Sequence, residues 1–269
     1  MTEQNYYLQQ PRYLDDPHGW IQHIPFAFFL VETLQPRLIT ELGTYSGNSY
    51  FAFCQAVKDM KLSSQCYAID TWQGDIHVGK YKNDVFERVS RINEKEFSHF
   101  STLKRMTFDQ ALPEFQDKSI DLLHIDGTHT YQAVKHDFES WLPKMSSEGI
   151  MLLHDTKVKE KDFEVWKFYE EIRNHYPSFE FHYSEGLAVV CTGGKIHPTL
   201  RPLLENKSMN IHFLKLLETL GENIRIKREM ELLRKDRNKF RKKTAQLNIE
   251  LLETKKQIKK LKRQGTNHS

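Results

Sequence analysis

Up to residue 193 the chain alternates short runs rich in β-branched and aromatic residues with segments whose apolar positions recur every three or four residues. The runs at 38–43, 65–70, 102–107, 120–126 and 149–155 have the length and composition of strands. The segments at 49–60, 131–142 and 163–175 have helical period, the last closed by Pro177. Strands alternating with helices predict a parallel sheet covered on both faces. Right-handed crossovers then place every strand's C-terminal end on one rim, where ligands bind in open α/β sheets. After His175 the pattern changes: runs at 179–183 and 187–192 flank Ser184, Glu185 and Gly186 and predict an antiparallel hairpin. The expected class is α/β, a doubly wound sheet that is mostly parallel and ends in an antiparallel hairpin. A domain binding a nicotinamide cofactor would instead keep all its strands parallel.

Gly193, Gly194, Pro198 and Pro202 mark a linker at 194–210 between an α/β domain at 1–193 and a helical tail at 211–263, with 264–269 as a disordered end. On a seam alternating by three and four, the tail presents Met230, Leu233, Arg237, Phe240, Thr244, Leu247, Leu251, Thr254, Ile258 and Leu261. Seven of these ten are apolar, which predicts a coiled coil and a homo-oligomer formed through this helix. Leu214, Leu217, Leu220 and Ile224 form an apolar stripe out of register with that seam. For them, packing on the α/β domain is the alternative.

Charge sharpens this division. Residues 222–263 carry 16 Lys/Arg against 6 Asp/Glu, a net of +10 in a chain of +3, which leaves −7 for the rest. A solvated basic helix lying on an acidic partner or a membrane surface is the competing reading of such a tail. Hydrophobic residues at 39% and charged residues at 28% are globular proportions. The longest apolar stretch, 24–34, contains Pro25 and Glu32 and falls short of the ~20 residues of a spanning helix. Residues 1–10 are polar and lack the pattern of a secretory signal, so the expected compartment is the cytoplasm. Cys54, Cys66 and Cys191 give neither a disulfide framework nor a zinc spacing.

The chemistry gathers at the predicted strand ends. Glu41 is followed by Gly43 and Gly47 in a turn that leads into a helix, where glycine permits close backbone approach to a ligand. The spacing matches neither the dinucleotide GxGxxG pattern nor the P-loop. Asp70 ends the second run, where a carboxylate can accept both hydroxyls of a ribose. Asp126 and Asp155 end the fourth and fifth runs on the same rim, and two carboxylates there suit a hard divalent cation such as Mg²⁺. His129 follows Asp126 by three residues, and an imidazole titrating near 6.5 can take a proton at neutral pH. His124 and His154 lie within strands and read as core residues. The loop at 72–75 sits beside the same rim.

Together, Glu41-Leu-Gly-Thr-Tyr-Ser-Gly-Asn-Ser49, the acidic strand end Asp70, Ile125-Asp-Gly-Thr-His-Thr-Tyr131 and His154-Asp-Thr156 resemble the class I S-adenosylmethionine-dependent methyltransferases. The motifs are similar to those of the cation-dependent catechol and caffeoyl-CoA O-methyltransferases. They look closer still to the bacterial group of macrolide-sugar O-methyltransferases and of modules found beside polysaccharide glycosyltransferases. The resemblance spans roughly residues 17–193 and implies a Rossmann-like fold. It implies that Glu41, Gly43, Tyr45, Gly47 and Ser49 surround the methionine half of the cofactor. Asp70 then holds the ribose, Thr71 follows it along the adenosine, and Thr107 and Phe108 flank the adenine. It further implies that Asp126 and Asp155 hold Mg²⁺ or Mn²⁺, and that His129 stands where related enzymes carry a catalytic lysine. Thr156 departs from the asparagine that follows the second aspartate in the catechol type, which puts the third metal ligand in question.

The function that the closer bacterial resemblance implies is methyl transfer to a hydroxyl of a sugar or glycan, with polysaccharide glycosyltransferases as partners. Two alternatives stand beside it: a non-catalytic scaffold module that recruits such enzymes through the tail, and an RNA methyltransferase. Nucleic acid is disfavoured, because Phe240 is the only aromatic among the basic residues of 222–263, whereas single-strand binders combine basic grooves with aromatic platforms.

Overall fold

The computed structural model describes residues 5–16, 19–75, 79–81, 84–160, 162–205 and 211–265. In chain order the elements are α1 (Ile24–Leu34), β1 (Leu38–Leu42), α2 (Asn48–Asp59), β2 (Gln65–Asp70), β3 (Gly74–Asp75), β4 (Gly79–Lys80), α3 (Asp84–Glu96), β5 (Ser101–Arg105) and α4 (Phe108–Ala111). They continue as β6 (Ile120–Ile125), α5 (Tyr131–Trp141), β7 (Met145–His154), α6 (Val165–Ile172), β8 (Ser178–Phe181), β9 (Leu187–Cys191), α7 (Arg201–Glu205) and α8 (Ile211–Gly265).

Seven strands form one sheet in the order β5-β2-β1-β6-β7-β9-β8. The first five are parallel, and β9 runs antiparallel to both β7 and β8. This is the Rossmann-like sheet with a terminal hairpin that the pattern predicted. Strand side chains alternate between two cores. Leu122, Ile150, Leu152 and Val189 face α1 and α2, while Leu123, Met151, Leu153 and Val190 face α5 and α6. Strand order reverses between β1 and β6, so the crevice at their C-terminal ends is the ligand position of such a sheet.

The compact body runs to Ile224 and not to residue 193. Within the expected linker, residues 201–205 form α7, and Leu200, Leu203 and Leu204 are buried in the core that also takes Leu217 and Ile224 of α8. The Gly and Pro residues of this stretch punctuate it without detaching it. Gly221 packs so closely on Gln22 that a Cβ would lie 2.0 Å from the Gln22 carbonyl oxygen. The second unit begins at Arg225 and is helical through Gly265, past the expected end at 263. The rest of the expected disordered end, 266–269, lies outside the described residues. No helix among the described residues is long and apolar enough to cross a membrane.

Candidate active site

The turn after β1 is shaped by what lies against it. Gly43 has φ +88°, and a Cβ there would sit 2.0 Å from the Asp126 carbonyl oxygen, so the ends of β1 and β6 meet only because this residue is glycine. Gly47, at φ +87°, is the N-cap of α2. Asp70 holds the turn from the other side. Its Oδ2 accepts the amides of Thr44 and Tyr45, each at 2.9 Å, and its Oδ1 accepts the Trp72 amide at 2.7 Å. The Trp72 indole then donates to the Tyr45 carbonyl, and the Tyr45 and Tyr81 rings meet at 4.3 Å.

A cavity of about 260 Å³ opens on this turn. Gly43, Tyr45 and Ser49 form one wall, Asp126, Gly127, His129, His154 and Asp155 another, and Gly19, Trp20 and Glu185 also contribute. Glu41 lies deeper, fully buried, and its Oε2 accepts from His124 Nδ1 at 2.8 Å. His124 Nε2 in turn accepts from the Trp20 indole at 3.1 Å, which puts the ring proton on Nδ1. Glu41 thus steadies Trp20 at the cavity wall through His124. Burial pushes its carboxyl above the usual range, and the His124 hydrogen bond opposes this.

Asp126, His129, His154 and Asp155 converge at the rim. His129 Nε2 is 2.7 Å from Asp155 Oδ2 and 3.5 Å from Asp126 Oδ1. Its ring stacks on Phe163 at 4.4 Å, and its carbonyl accepts the Glu164 amide. Burial alone would lower the His129 pKa, but the hydrogen bonds it donates to Asp126 and Asp155 outweigh this and raise the value to about 9. Both aspartates are held below the ordinary carboxylate range: burial opposes this, and the neighbouring histidines, His154 first, override it. Asp155 has φ +62°, a left-handed backbone outside glycine of the kind that concentrates at functional sites.

His154 and Glu185 complete the cluster; strand patterning concealed the first, and the second lies in the β8–β9 loop. His154 is buried, with Nδ1 at 3.4 Å from Asp126 Oδ1 and 3.3 Å from Asp155 Oδ1. Neither of its ring nitrogens has a partner in hydrogen-bond geometry among the described residues. Glu185 reaches back from the β8–β9 loop, where Ser184, Glu185 and Gly186 all have positive φ. Its carboxylate lies so close over Gly19 that a Cβ there would be 2.2 Å from Oε2. Burial and the charge of Asp155 push its carboxyl upward.

The remaining predicted residues fall at the crevice's edge. Thr107 caps α4 in a reciprocal pair with Gln110. Phe108 lies against Gly127, and Thr71 accepts the Arg105 side chain at its carbonyl. Thr156 is buried, its hydroxyl facing Gly186.

The uncharacterized protein y4gI of Sinorhizobium fredii is 46% identical over 196 residues, 73% of this chain, and the match spans 22% of that protein's length. Among solved structures, a candidate caffeoyl-CoA O-methyltransferase from Staphylococcus aureus superposes with TM-score 0.51 at 15% identity, over 67% of this chain and 85% of that one. Cofactor-bound Rv0187 from MTB gives 0.50 at 12%, over 69% and 84%. At these identities the two structures show a shared fold. Residues 40–156, which run from β1 to the loop after β7 and carry the whole Asp126–His129–His154–Asp155 cluster, match the family described as Methyltransferase domain.

Proposed function

We propose that this chain is an S-adenosylmethionine-dependent O-methyltransferase that acts in the cytoplasm on a hydroxyl of a sugar or glycan, assisted by a divalent cation. The observation that carries this reading is the convergence of Asp126, His129, His154 and Asp155 at the strand-order reversal, directly across the cavity from the Gly43–Ser49 turn.

In this reading Gly43, Tyr45, Gly47 and Ser49 receive the methionine half of the cofactor, while Glu41 supports them from below through His124 and Trp20. Asp70 and Thr71 take the ribose, and Thr107 and Phe108 flank the adenine. The donor set also suits a cation. Asp126, His154 and Asp155 each offer a ligand atom within 4.8 Å of the others, and the buried His154 nitrogens have no hydrogen bond among the described residues. Two carboxylates with one imidazole favour Mn²⁺ over Mg²⁺ more than an all-oxygen set would. Because Thr156 is turned toward Gly186, the third donor falls to His154. The cation, when bound, acidifies an acceptor hydroxyl whose pKa otherwise lies near that of water, ~15.7. His129 would receive the hydroxyl proton at Nε2 once Asp126 and Asp155, whose charge keeps its imidazole protonated, hold the cation instead, and Phe163 keeps the ring in place. The cavity walls align acceptor oxygen, methyl carbon and sulfur for in-line transfer. Partner glycosyltransferases belong to the same reading through the basic tail.

A labelled-methyl transfer screen over monosaccharide, glycan, phenolic and RNA acceptors tests this, run after chelation and again with Mn²⁺ or Mg²⁺ restored. Label on a sugar hydroxyl only when cation is present is the expected result. Label on phenols or RNA alone would move the acceptor class, and full turnover after exhaustive chelation would remove the cation. Cofactor binding without transfer to any acceptor would favour the scaffold reading.

A further inference from the structure

Beyond Ile224, α8 exposes an apolar seam, and the charges that flank the seam are ordered as well. Ile226 stands four residues before Met230 and starts a run of alternating four- and three-residue steps that reaches Ile258. The order of the steps fixes the heptad. Met230, Arg237, Thr244, Leu251 and Ile258 take position a, and Ile226, Leu233, Phe240, Leu247 and Thr254 take position d. Position e then holds Lys227, Arg234, Arg241, Asn248 and Lys255, while position g holds Glu229, Asp236, Lys243, Glu250 and Gln257. One flank is basic and the other mainly acidic, and both are exposed.

A second copy can lie on this seam in either direction, and the flanks respond oppositely. In a parallel, in-register pair each g residue meets the e residue five positions further along the other helix. Glu229 then meets Arg234, Asp236 meets Arg241 and Glu250 meets Lys255, while Lys243 meets the neutral Asn248. Reversing one helix over the same stretch brings e against e and g against g. Lys227 then faces Lys255, Arg241 and Lys243 each face their own copy, and Asp236 faces Glu250. Every pair of two charges is attractive in the first arrangement and repulsive in the second. Exposed ion pairs contribute little individually, so they leave the affinity to the apolar seam and the net charge, but their sum decides the direction. Within one helix Glu229 pairs with Arg225 and Glu250 accepts from Gln246, and a carboxylate has acceptor sites for a further donor. Arg237 fits the same direction, because Asp236 of the second copy borders the hole that receives it.

We propose that residues 226–258 pair with the same segment of a second copy as a parallel, in-register coiled coil. A helix lying on an anionic surface would gain from basic residues on both flanks of its apolar stripe, whereas Glu229, Asp236 and Glu250 make one flank acidic. Each chain enters the pair at its Arg225 end, so parallel pairing attaches both bodies at the same end.

Sedimentation equilibrium and disulfide trapping of the full chain test it. Lys255→Glu lowers the net charge of the tail, which by itself favours association. In the parallel pair the new carboxylate meets Glu250, so the dissociation constant is expected to rise about fivefold or more, and adding Glu250→Lys should bring it back within about twofold. In the reversed pair the same change faces Lys227 and tightens association. Tightening, or an unchanged constant, overturns the proposal. Leu247→Cys in a glutathione redox buffer is expected to give covalent dimers, since a d residue meets its own copy only in the parallel register, and the native Cys54, Cys66 and Cys191 are buried. Covalent dimers that form only when Leu247→Cys chains are mixed with Arg237→Cys chains overturn the direction, because position 247 faces position 237 in the reversed pair. No covalent dimer in either case, or a wild-type chain that stays monomeric at every salt concentration, overturns the pairing altogether.

Discussion

His129 Nε2 lies 2.7 Å from Asp155 Oδ2, and this contact keeps the imidazole protonated at neutral pH in the cation-free protein. Against an ordinary value of 6.5 it titrates at about 9, because its bonds to Asp126 and Asp155 outweigh burial. A pKa raised on folding contributes stability that is complete below the unfolded value and is lost as pH climbs through the folded one. The thermal midpoint of chelated protein is therefore expected to fall between about pH 6.5 and 9, with up to ~3 kcal/mol at stake. His129→Gln should flatten that slope. Asp137 contributes in a lower interval, between 3.8 and about 7. An undiminished slope in His129→Gln above pH 7 would assign the effect to another group.

Asp70 ties Thr44, Tyr45 and Trp72 together through three backbone amides, so its carboxylate shapes the turn that it was expected to complement. Asp70→Ala leaves those amides without their acceptor, at ~1–3 kcal/mol for each that stays buried. In the proposed cofactor reading it would also remove the ribose partner. The dissociation constant for S-adenosylhomocysteine should rise at least tenfold, about 1.4 kcal/mol, together with a lower thermal midpoint. A fallen midpoint with affinity within twofold of wild type would confine Asp70 to the turn.

The strand ends were legible from the sequence because a parallel sheet places them on one rim, and Asp70, Asp126 and Asp155 do stand there. His154 was not. It shares a strand face with Ile150 and Leu152, so alternation assigns it to the core, and only the neighbouring ends of β6 and β7 bring it to the carboxylates. Glu185 sits in a hairpin loop whose spacing carries no sign that three consecutive positive φ values fold it back over Gly19. The body's end at Ile224 was hidden for a different reason. Gly193, Gly194, Pro198 and Pro202 read as a break, yet burial of Leu200, Leu203 and Leu204 holds the chain to the core beyond it.

The proposed cation site of two aspartates and His154 makes a prediction that separates this chain from the catechol type. His154→Ala is expected to weaken Mn²⁺ binding, followed by paramagnetic resonance, at least tenfold, about 1.4 kcal/mol. Thr156→Ala should leave it within about threefold, because that hydroxyl faces Gly186. The reverse order of effects would return the third ligand to position 156.

The tail offers the last prediction. From Arg225 onward α8 forms a unit of its own, and Met230, Leu233, Phe240, Leu247, Leu251 and Ile258 are all exposed along it. A helix that needed only solvent has no reason to repeat apolar residues at alternating three- and four-residue spacing, whereas a second copy of the same helix would cover them. Arg237, Thr244 and Thr254 interrupt the seam, and the net +10 of residues 222–263 opposes close approach. Association should therefore strengthen with salt as the Debye length shrinks from ~10 Å at 0.1 M toward ~3 Å at 1 M. Light scattering is expected to show dimers or trimers of the full chain at tens of micromolar. Truncation after Ile224 keeps Leu217 and Ile224 in their core and should give monomers, as should Leu233→Glu combined with Leu247→Glu. A full chain that stays monomeric from low to high salt would leave the exposed stripe without a second copy to cover it, and the coiled-coil reading would fail.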